Sequence, residues 1–191
     1  ITRGLLDRDE QMALLVMRVS GDRYGEKFFP QIAGVGFSFN PYVWHKDIDP
    51  HAGVVRLVFG MGTRAVDRAD DDYTRVVALN EPERRPETDI DEVRQYSQHR
   101  VDVIDLDANQ LISANFSEIV ERSHDLPVQV FASQDREMAQ RAAEYGLPNS
   151  SAWVLTFDHL LTQTSFVDDM REMLSTLHAA YDSPVDLEFT A

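Results

Sequence analysis

Two apolar, β-branched runs lie close together in the first half of the chain. They cover residues 54–59 and 74–79, and their valine, threonine and aromatic residues predict strands. The segment between them carries Gly60 and Gly62, and glycine permits backbone angles and close approaches that a side chain would block. Such a loop suits a ligand, but a tight connection between two core strands explains the same pattern. The sequence leaves both interpretations open.

Alternating and helical patterns predict most of the remaining elements. The clearest is a helix over Phe166–Tyr181, whose apolar residues recur at spacings of three and four. The mixture of short strands and helices predicts an α+β fold with a mostly antiparallel sheet and flanking helices. Further strands are predicted at residues 11–19, 32–40, 101–106, 110–113, 128–132 and 152–157, and further helices at 90–97, 116–122 (with Ser117 as a cap) and 135–145.

The last strand-like run alternates strictly between apolar and acidic residues. Val185, Leu187 and Phe189 point to one face, while Asp186 and Glu188 point to the other, about 7 Å apart at a rise of about 3.3 Å per residue. Two carboxylates on a rigid strand are suitable oxygen ligands for Mg²⁺ that is shared with nucleotide phosphates. An ordinary solvent-facing side of an edge strand gives the same pattern.

Composition narrows the classes of function. The chain has 191 residues, of which 43% are hydrophobic, so it fits one domain with a core of useful size. It has no apolar run long enough for a membrane span, no signal-peptide pattern and no cysteine, and we expect a cytoplasmic protein. The net charge of −15 argues against nucleic acid or an anionic membrane as a partner. A polyphosphate is compatible with this charge where a pocket or a metal ion offsets the repulsion.

The other residue patterns in the sequence give only weak indications of a metal site. The six histidines are scattered and form no metal motif. The acidic run of residues 67–72 lacks the spaced ligands of a calcium loop, which favours a solvated turn. The chain starts with Ile1 and stops at Ala191 after a strand-like run, so we expect a fragment of a longer polypeptide.

Four stretches in a characteristic order carry a family resemblance. They are MALLVMRVSG, AGVGFSFNP, GVVRLVFGMGTRAVDR with DDDYTRVVALN, and a helix that leads into SPVDLEF. This order resembles the nucleotide-binding domain of phosphoenolpyruvate synthases and pyruvate, phosphate dikinases, which has an ATP-grasp fold. The resemblance covers residues 11–80 and 166–189. It implies that residues 1–191 are the carboxy-terminal part of that domain, with residues 81–163 as a less typical insertion.

The resemblance implies roles for particular residues. Met17, Arg18 and Val19 match the hinge that contacts adenine, although the family often has glutamine at the position of Met17. Glu188 matches a Mg²⁺–ATP ligand of the family's acidic strand, with Asp186 second. The loop Gly60-x-Gly62 matches a Gly-Leu-Gly-Glu segment in which Thr63 here replaces the glutamate, so no catalytic role is assigned to it.

The implied parent enzyme transfers phosphate from ATP, through a histidine in another domain, to pyruvate. Its implied cofactors and partners are ATP, Mg²⁺, and the phosphohistidine and pyruvate/phosphoenolpyruvate domains of the same chain. The family also uses a Gln-x-Arg pair beyond residue 191 and an upstream Lys and Arg, so the fragment alone is expected to be inactive. Antibiotic and glucan phosphotransferases share this domain and differ in the acceptor. A degenerate, non-catalytic regulatory or scaffolding domain is the alternative of a different class.

Overall fold

The computed structural model describes residues 12–66, 72–146 and 152–191. Its helices in this part of the chain are α1 (Thr63–Val66), α2 (Ile90–Gln95), α3 (Phe116–Arg122), α4 (Val128–Phe131), α5 (Arg136–Tyr145), α6 (Asp158–Gln163) and α7 (Phe166–Tyr181), with a 3₁₀ turn at Pro50–Ala52. Its strands are β1 (Asp22–Tyr24), β2 (Lys27–Phe29), β3 (Ala33–Phe37), β4 (Val54–Val58), β5 (Arg75–Ala78), β6 (Arg100–Asp105), β7 (Gln110–Asn115), β8 (Ala132–Gln134), β9 (Trp153–Leu155) and β10 (Asp186–Thr190).

The strands form two four-stranded sheets and one two-stranded sheet. The first sheet has the order β1-β2-β6-β7, the second has the order β10-β3-β4-β5, and β8 pairs with β9. Every strand pairing in the described residues is antiparallel. The prediction of an α+β fold with mostly antiparallel sheets is therefore confirmed.

The second sheet carries different chemistry on its two faces. One face bears Gly36 and the apolar residues Val55, Leu57 and Leu187, and α7 packs against it through Met170 and Leu174. A Cβ added at Gly36 would lie 3.1 Å from Met170 Cε, so the glycine lets the helix approach the sheet closely. The predicted helix over Phe166–Tyr181 is confirmed with the same bounds. Its apolar stripe is what holds it against this face.

A cluster of phenylalanines joins the two sheets in one core. The ring of Phe59, which follows β4, lies 5.4–5.5 Å from the rings of Phe29, Phe116 and Phe131. Phe29 and Phe59 are fully buried. Because Phe59 comes directly before Gly60, this cluster fixes the start of the glycine loop.

Among the described residues, none of the helices has the length and apolar character that crossing a bilayer requires.

Several predicted elements are confirmed, and two details within residues 116–132 are wrong. The hairpin β6–β7 forms, and α5 starts at the cap Asp135 and ends at Gly146, which has φ 65°. The run at 128–132, predicted as a strand, instead forms α4 and then enters β8, because a short apolar run has no periodicity that separates strand from helix. Helix α3 is preceded by Asn115 at the cap position, without a side-chain capping bond, so Ser117 is not the cap.

Candidate functional site: a cleft around the free edge of β10

The two acidic residues of β10 point to the same face of an edge strand. The strand pairs only with β3 in the described residues, with Asp186 opposite Phe37 and Glu188 opposite Val35. Both carboxylates are exposed, and neither has a hydrogen bond or an ion pair with a described residue. The alternation predicted from the sequence is confirmed by the burial of this strand. Two carboxylates that have no partner in the described ranges therefore lie on one face at the edge of the sheet.

The predicted hinge runs past one end of this strand. Met17, Arg18 and Val19 are exposed and belong to no strand, and the Ser20 N–H donates to Thr190 Oγ1 at 3.3 Å. The strand predicted for residues 11–19 is thus wrong over residues 12–19, while residue 11 lies outside the described residues. The physical reason is that no described strand pairs with this segment and its apolar side chains lie outside the core. Met12 and Val16, for example, are 91% exposed.

A cleft of about 710 Å³ curls around the free edge of β10. It brings together residues that are far apart in the sequence, namely Met17, Arg18, Val19, Gly62, Thr63 and Glu188. Asp186, two residues before Glu188, does not line it. The structure therefore places the predicted hinge, the glycine loop and the first-choice carboxylate at one site, with the second carboxylate just outside it.

The glycine loop is fixed by its contact with β6. Gly60 has φ 90°, and a Cβ there would lie 2.5 Å from Val101 Cγ1 and 2.8 Å from the Asp102 carbonyl oxygen. The Met61 N–H donates to the same carbonyl at 2.8 Å. A Cβ at Gly62 would meet only Ala33, at an ordinary 3.5 Å. Gly60 is required for a tight connection, whereas Gly62 leaves open space at the cleft.

A charged network holds the start of α1 against the hairpin β6–β7. Thr63 Oγ1 donates to Asp102 Oδ2 at 2.7 Å, and Arg64 Nε donates to Asp102 Oδ1 at 3.0 Å. Burial raises the pKa of Asp102, but hydrogen bonds from Thr63, Ser113 and Arg64 and the charge of Arg64 outweigh it, so the pKa lies below its ordinary value. The hydroxyl of Thr63 thus has a structural partner.

Asp72 extends this network and corrects one prediction. Its carboxylate accepts hydrogen bonds from the backbone N–H groups of His99 and Arg100 at 2.7 and 2.9 Å, and it contacts Arg64 Nη1 at 3.3 Å. The side chain is only 3% exposed. The prediction of a solvated turn is therefore wrong for Asp72, and residues 67–71 lie outside the described residues. The sequence missed this because the partners are 8 to 28 positions away.

Gln98 is a second residue that the sequence gave no reason to single out. Its amide is buried, accepts from the Phe59 N–H at 2.7 Å and donates to the Phe59 carbonyl at 2.8 Å. The side-chain amide thus satisfies the two backbone groups of Phe59, just before the glycine loop, as the backbone of a neighbouring strand would do. A buried glutamine can be found from a structure, but in the sequence it stands in a polar segment and carries no signal.

Histidines do not add a metal site. The part of the chain that the structure describes contains no group of three or more His, Cys, Asp or Glu side chains placed to hold a metal ion. A second cleft of about 1040 Å³ is lined by Ser38, His51 and His178, among others. Ser38 Oγ and His178 Nδ1 are 3.3 Å apart there, but the predicted hinge and carboxylates are not part of this cleft.

The cleft at β10 suits a phosphorylated ligand held together with a cation. Mg²⁺ is commonly bound by one or two protein carboxylates together with phosphate oxygens and water. Glu188 and Asp186 fit that donor set, because they are exposed, lie on one face of a strand and have no hydrogen bond or ion pair with the part of the chain that the structure describes. The fold and the site together define a class: an α+β protein with a cleft at a sheet edge that suits a phosphorylated ligand and a cation.

The comparison with protein families is specific. The family model "Pyruvate phosphate dikinase, AMP/ATP-binding domain" matches residues 1–191, and the chain therefore belongs to this family. The family supports nucleotide binding by an ATP-binding region of a dikinase-like phosphotransferase. Neither the comparison with curated proteins nor that with solved structures gave a match.

Proposed function

We propose that the cleft at β10 binds ATP as its magnesium complex. The observation that carries this proposal is that one cleft collects Met17–Val19 and Glu188, from opposite ends of the sequence, in a chain of an AMP/ATP-binding family. The exposed segment at residues 17–19 is outside any strand, so its backbone N–H and C=O groups are available to contact adenine.

Glu188 is the proposed main ligand of Mg²⁺, and Asp186 the second. When bound, Mg²⁺ neutralises negative charge on the phosphate oxygens. A free carboxylate on a rigid strand is positioned for this without rearrangement of the backbone. Glu188 has no competing partner among the described residues that would have to be displaced.

We further propose that the parent protein is a phosphotransferase of the phosphoenolpyruvate synthase or pyruvate, phosphate dikinase type. It would pass phosphate from ATP to a histidine in another domain and then to pyruvate. The family membership supports the ATP-dependent half of this proposal. In the full-length parent, Glu188→Gln should abolish ATP-dependent phosphorylation of the histidine while the fold stays intact, and normal turnover would refute the assignment.

One observation favours a second candidate, a non-catalytic regulatory or scaffolding domain. By the resemblance of the glycine loop to a Gly-Leu-Gly-Glu segment, Thr63 stands at the position of a glutamate, and its hydroxyl donates to Asp102 instead. The position is thus used for structure here.

A calorimetric titration separates the two candidates. The ATP-binding proposal predicts saturable binding of one ATP in the presence of Mg²⁺, weakened about tenfold or more by EDTA. Absence of saturable ATP binding under both conditions would favour the regulatory domain.

A further inference from the structure

Three methionines from separate elements line the cleft at β10. They are Met17 in the exposed segment, Met61 in the glycine loop and Met173 in α7, and the chain has six methionines in all. Met17 is 71% exposed and Met173 is 42% exposed, whereas Met61 is half-buried. The thioether side chains of Met17 and Met173 are therefore open to a small solute that enters the cleft.

Methionines in other environments provide internal controls for reactivity. Met170 belongs to the same helix as Met173, but it is buried in the core and packs against the sheet at Gly36. Met12 is almost fully exposed and does not line the cleft. The chain thus presents protected, exposed and cleft-lining thioethers, which can be compared in one experiment.

The sulfur chemistry of this chain rests on methionine, because the sequence contains no cysteine. Hydrogen peroxide oxidises a thioether by transferring one oxygen atom: a sulfur lone pair attacks the peroxide, the S–O bond forms and the O–O bond breaks. The sulfur gives up two electrons and becomes a sulfoxide, and the peroxide is reduced to water after a proton transfer. The change is reversible, because methionine sulfoxide reductases A and B each reduce one sulfoxide epimer.

A sulfoxide changes the apolar part of the cleft. The charged residues that line the cleft within the described ranges are Arg18 and Glu188, and its apolar lining includes Val66, Leu187 and Phe189. Apolar side chains and polarisable thioethers suit the flat base of a nucleotide better than its phosphates. The oxygen of a sulfoxide is a hydrogen-bond acceptor, and covering it with the π face of a base, which offers no donor, is unfavourable.

We propose that Met17 and Met173 are oxidation sites through which peroxide lowers the affinity of the cleft at β10 for ATP. This inference rests on the proposed function, because it takes the ligand of the cleft to be ATP. The two residues lie on different elements that both line the cleft. A sulfoxide at either position places a polar oxygen at the wall that the base contacts, and a reductase that removes this oxygen restores the site.

Peptide mass spectrometry after treatment with hydrogen peroxide maps the modification. Met12, Met17 and Met173 should be oxidised, and Met170 should stay unmodified while the protein is folded. Saturating magnesium–ATP should slow oxidation at Met17 and Met173 by about tenfold or more, because a bound base covers the thioethers of the cleft. The rate at Met12 should stay within about twofold of its value without ATP, because Met12 lies outside the cleft.

Calorimetric titration with ATP and Mg²⁺ measures the effect on binding. Peroxide should weaken binding by the wild type by about tenfold or more, and the two reductases with dithiothreitol as electron donor should restore it. The double variant Met17→Leu/Met173→Leu is compared with itself before and after peroxide, and its affinity should fall by no more than about twofold. Met12→Leu is the control and should lose as much affinity as the wild type. The single variants Met17→Leu and Met173→Leu should each be partly protected, and they replace the double variant if it does not fold or bind ATP.

Four results would overturn the inference. If the wild type carries sulfoxides at Met17 and Met173 and binds ATP as tightly as before, these residues do not control the cleft, and the proposed function stands. The same holds if Met17 and Met173 are oxidised no faster than Met170. If peroxide lowers the Tm of the unliganded protein and the double variant does not prevent this, oxidation acts on the fold. If the untreated wild type binds no ATP, this inference and the proposed function both fail.

Discussion

The hydroxyl of Thr63 donates a hydrogen bond to the carboxylate of Asp102 at 2.7 Å. Thr63 begins α1 directly after the glycine loop, and Asp102 lies in β6, so this bond joins the wall of the cleft to the neighbouring sheet. Met61 and Arg64 contact Asp102 as well, through its carbonyl and its carboxylate respectively. One aspartate thus holds Met61 of the glycine loop and the first two residues of α1.

Replacing Asp102 by asparagine should destabilise the protein. The substitution removes a carboxylate that accepts hydrogen bonds from Thr63 and from Arg64, whose side chain is 12% exposed. Loss of a charged hydrogen-bond acceptor costs about 2 kcal/mol, which corresponds to a fall in Tm of roughly 4–8 °C for a domain of this size. Differential scanning calorimetry at pH 7 measures the change. Asp107→Asn, at an exposed position in the adjacent turn, should leave the Tm within about 1 °C of the wild type.

The contribution of Asp102 should also depend on pH. The pKa of this carboxyl in the folded protein is lower than its ordinary value of 3.8, so the unfolded state binds the proton more readily. The stabilisation is therefore fully present above pH 3.8 and is lost as the pH falls through the lower pKa of the folded state. The difference in unfolding free energy between wild type and Asp102→Asn, measured by urea titration from pH 7 to 3, should shrink only at the acid end. A difference that shrinks between pH 7 and 5 would contradict this account.

Gly60 and Gly25, which both have positive φ, allow a matched comparison. At Gly25, φ is 60° and a Cβ would meet nothing within 4 Å, so Gly25→Ala should cost only backbone strain, about 1 kcal/mol. At Gly60 the Cβ would also lie 2.5 Å from Val101 Cγ1, and Gly60→Ala should cost about 3 kcal/mol or more. Chemical denaturation of both variants measures the difference. Equal stabilities would show that β6 moves aside without cost.

Gln98→Leu tests the buried amide that serves the backbone of Phe59. The leucine fills a similar volume but leaves the Phe59 N–H and C=O without their partner, which should cost about 2–4 kcal/mol. Gln110→Leu, at an exposed position in β7, is the control and should change the stability by less than about 0.5 kcal/mol. If the two variants are equally stable, the bonds from Gln98 are not what hold the backbone of Phe59.

Local pattern predicted the elements whose own residues determine them. Helix α7 was predicted correctly because apolar residues such as Met170 and Leu174 recur at helical spacing. Strand β10 was predicted correctly because apolar and acidic residues alternate around Glu188. The segment at 12–19 has strand-forming residues but no described pairing partner, and a strand needs one. Its failure as a strand is thus a matter of tertiary context.

The candidate site likewise contains residues that the sequence could identify and residues that only the tertiary structure reveals. Resemblance placed Met17–Val19 and Glu188 at one site, and the structure brings these residues to one cleft. Pattern could not find Asp72, Gln98 and Asp102, whose partners are distant in the sequence. Such long-range polar contacts leave no periodic signal.

The measurement that tests the central claim most directly is ATP binding by Glu188→Gln. Calorimetric titration of wild type and variant, each with Mg²⁺ and with EDTA, isolates the contribution of the carboxylate to the magnesium complex. We predict that the variant keeps the Tm of the wild type, because Glu188 has no partner among the described residues, and that it loses about tenfold or more of the Mg²⁺-dependent affinity. Glu121→Gln, an exposed glutamate in α3, should bind as the wild type does. Unchanged Mg²⁺-dependent binding of ATP by Glu188→Gln would contradict the assignment of this cleft as the site of the magnesium–ATP complex.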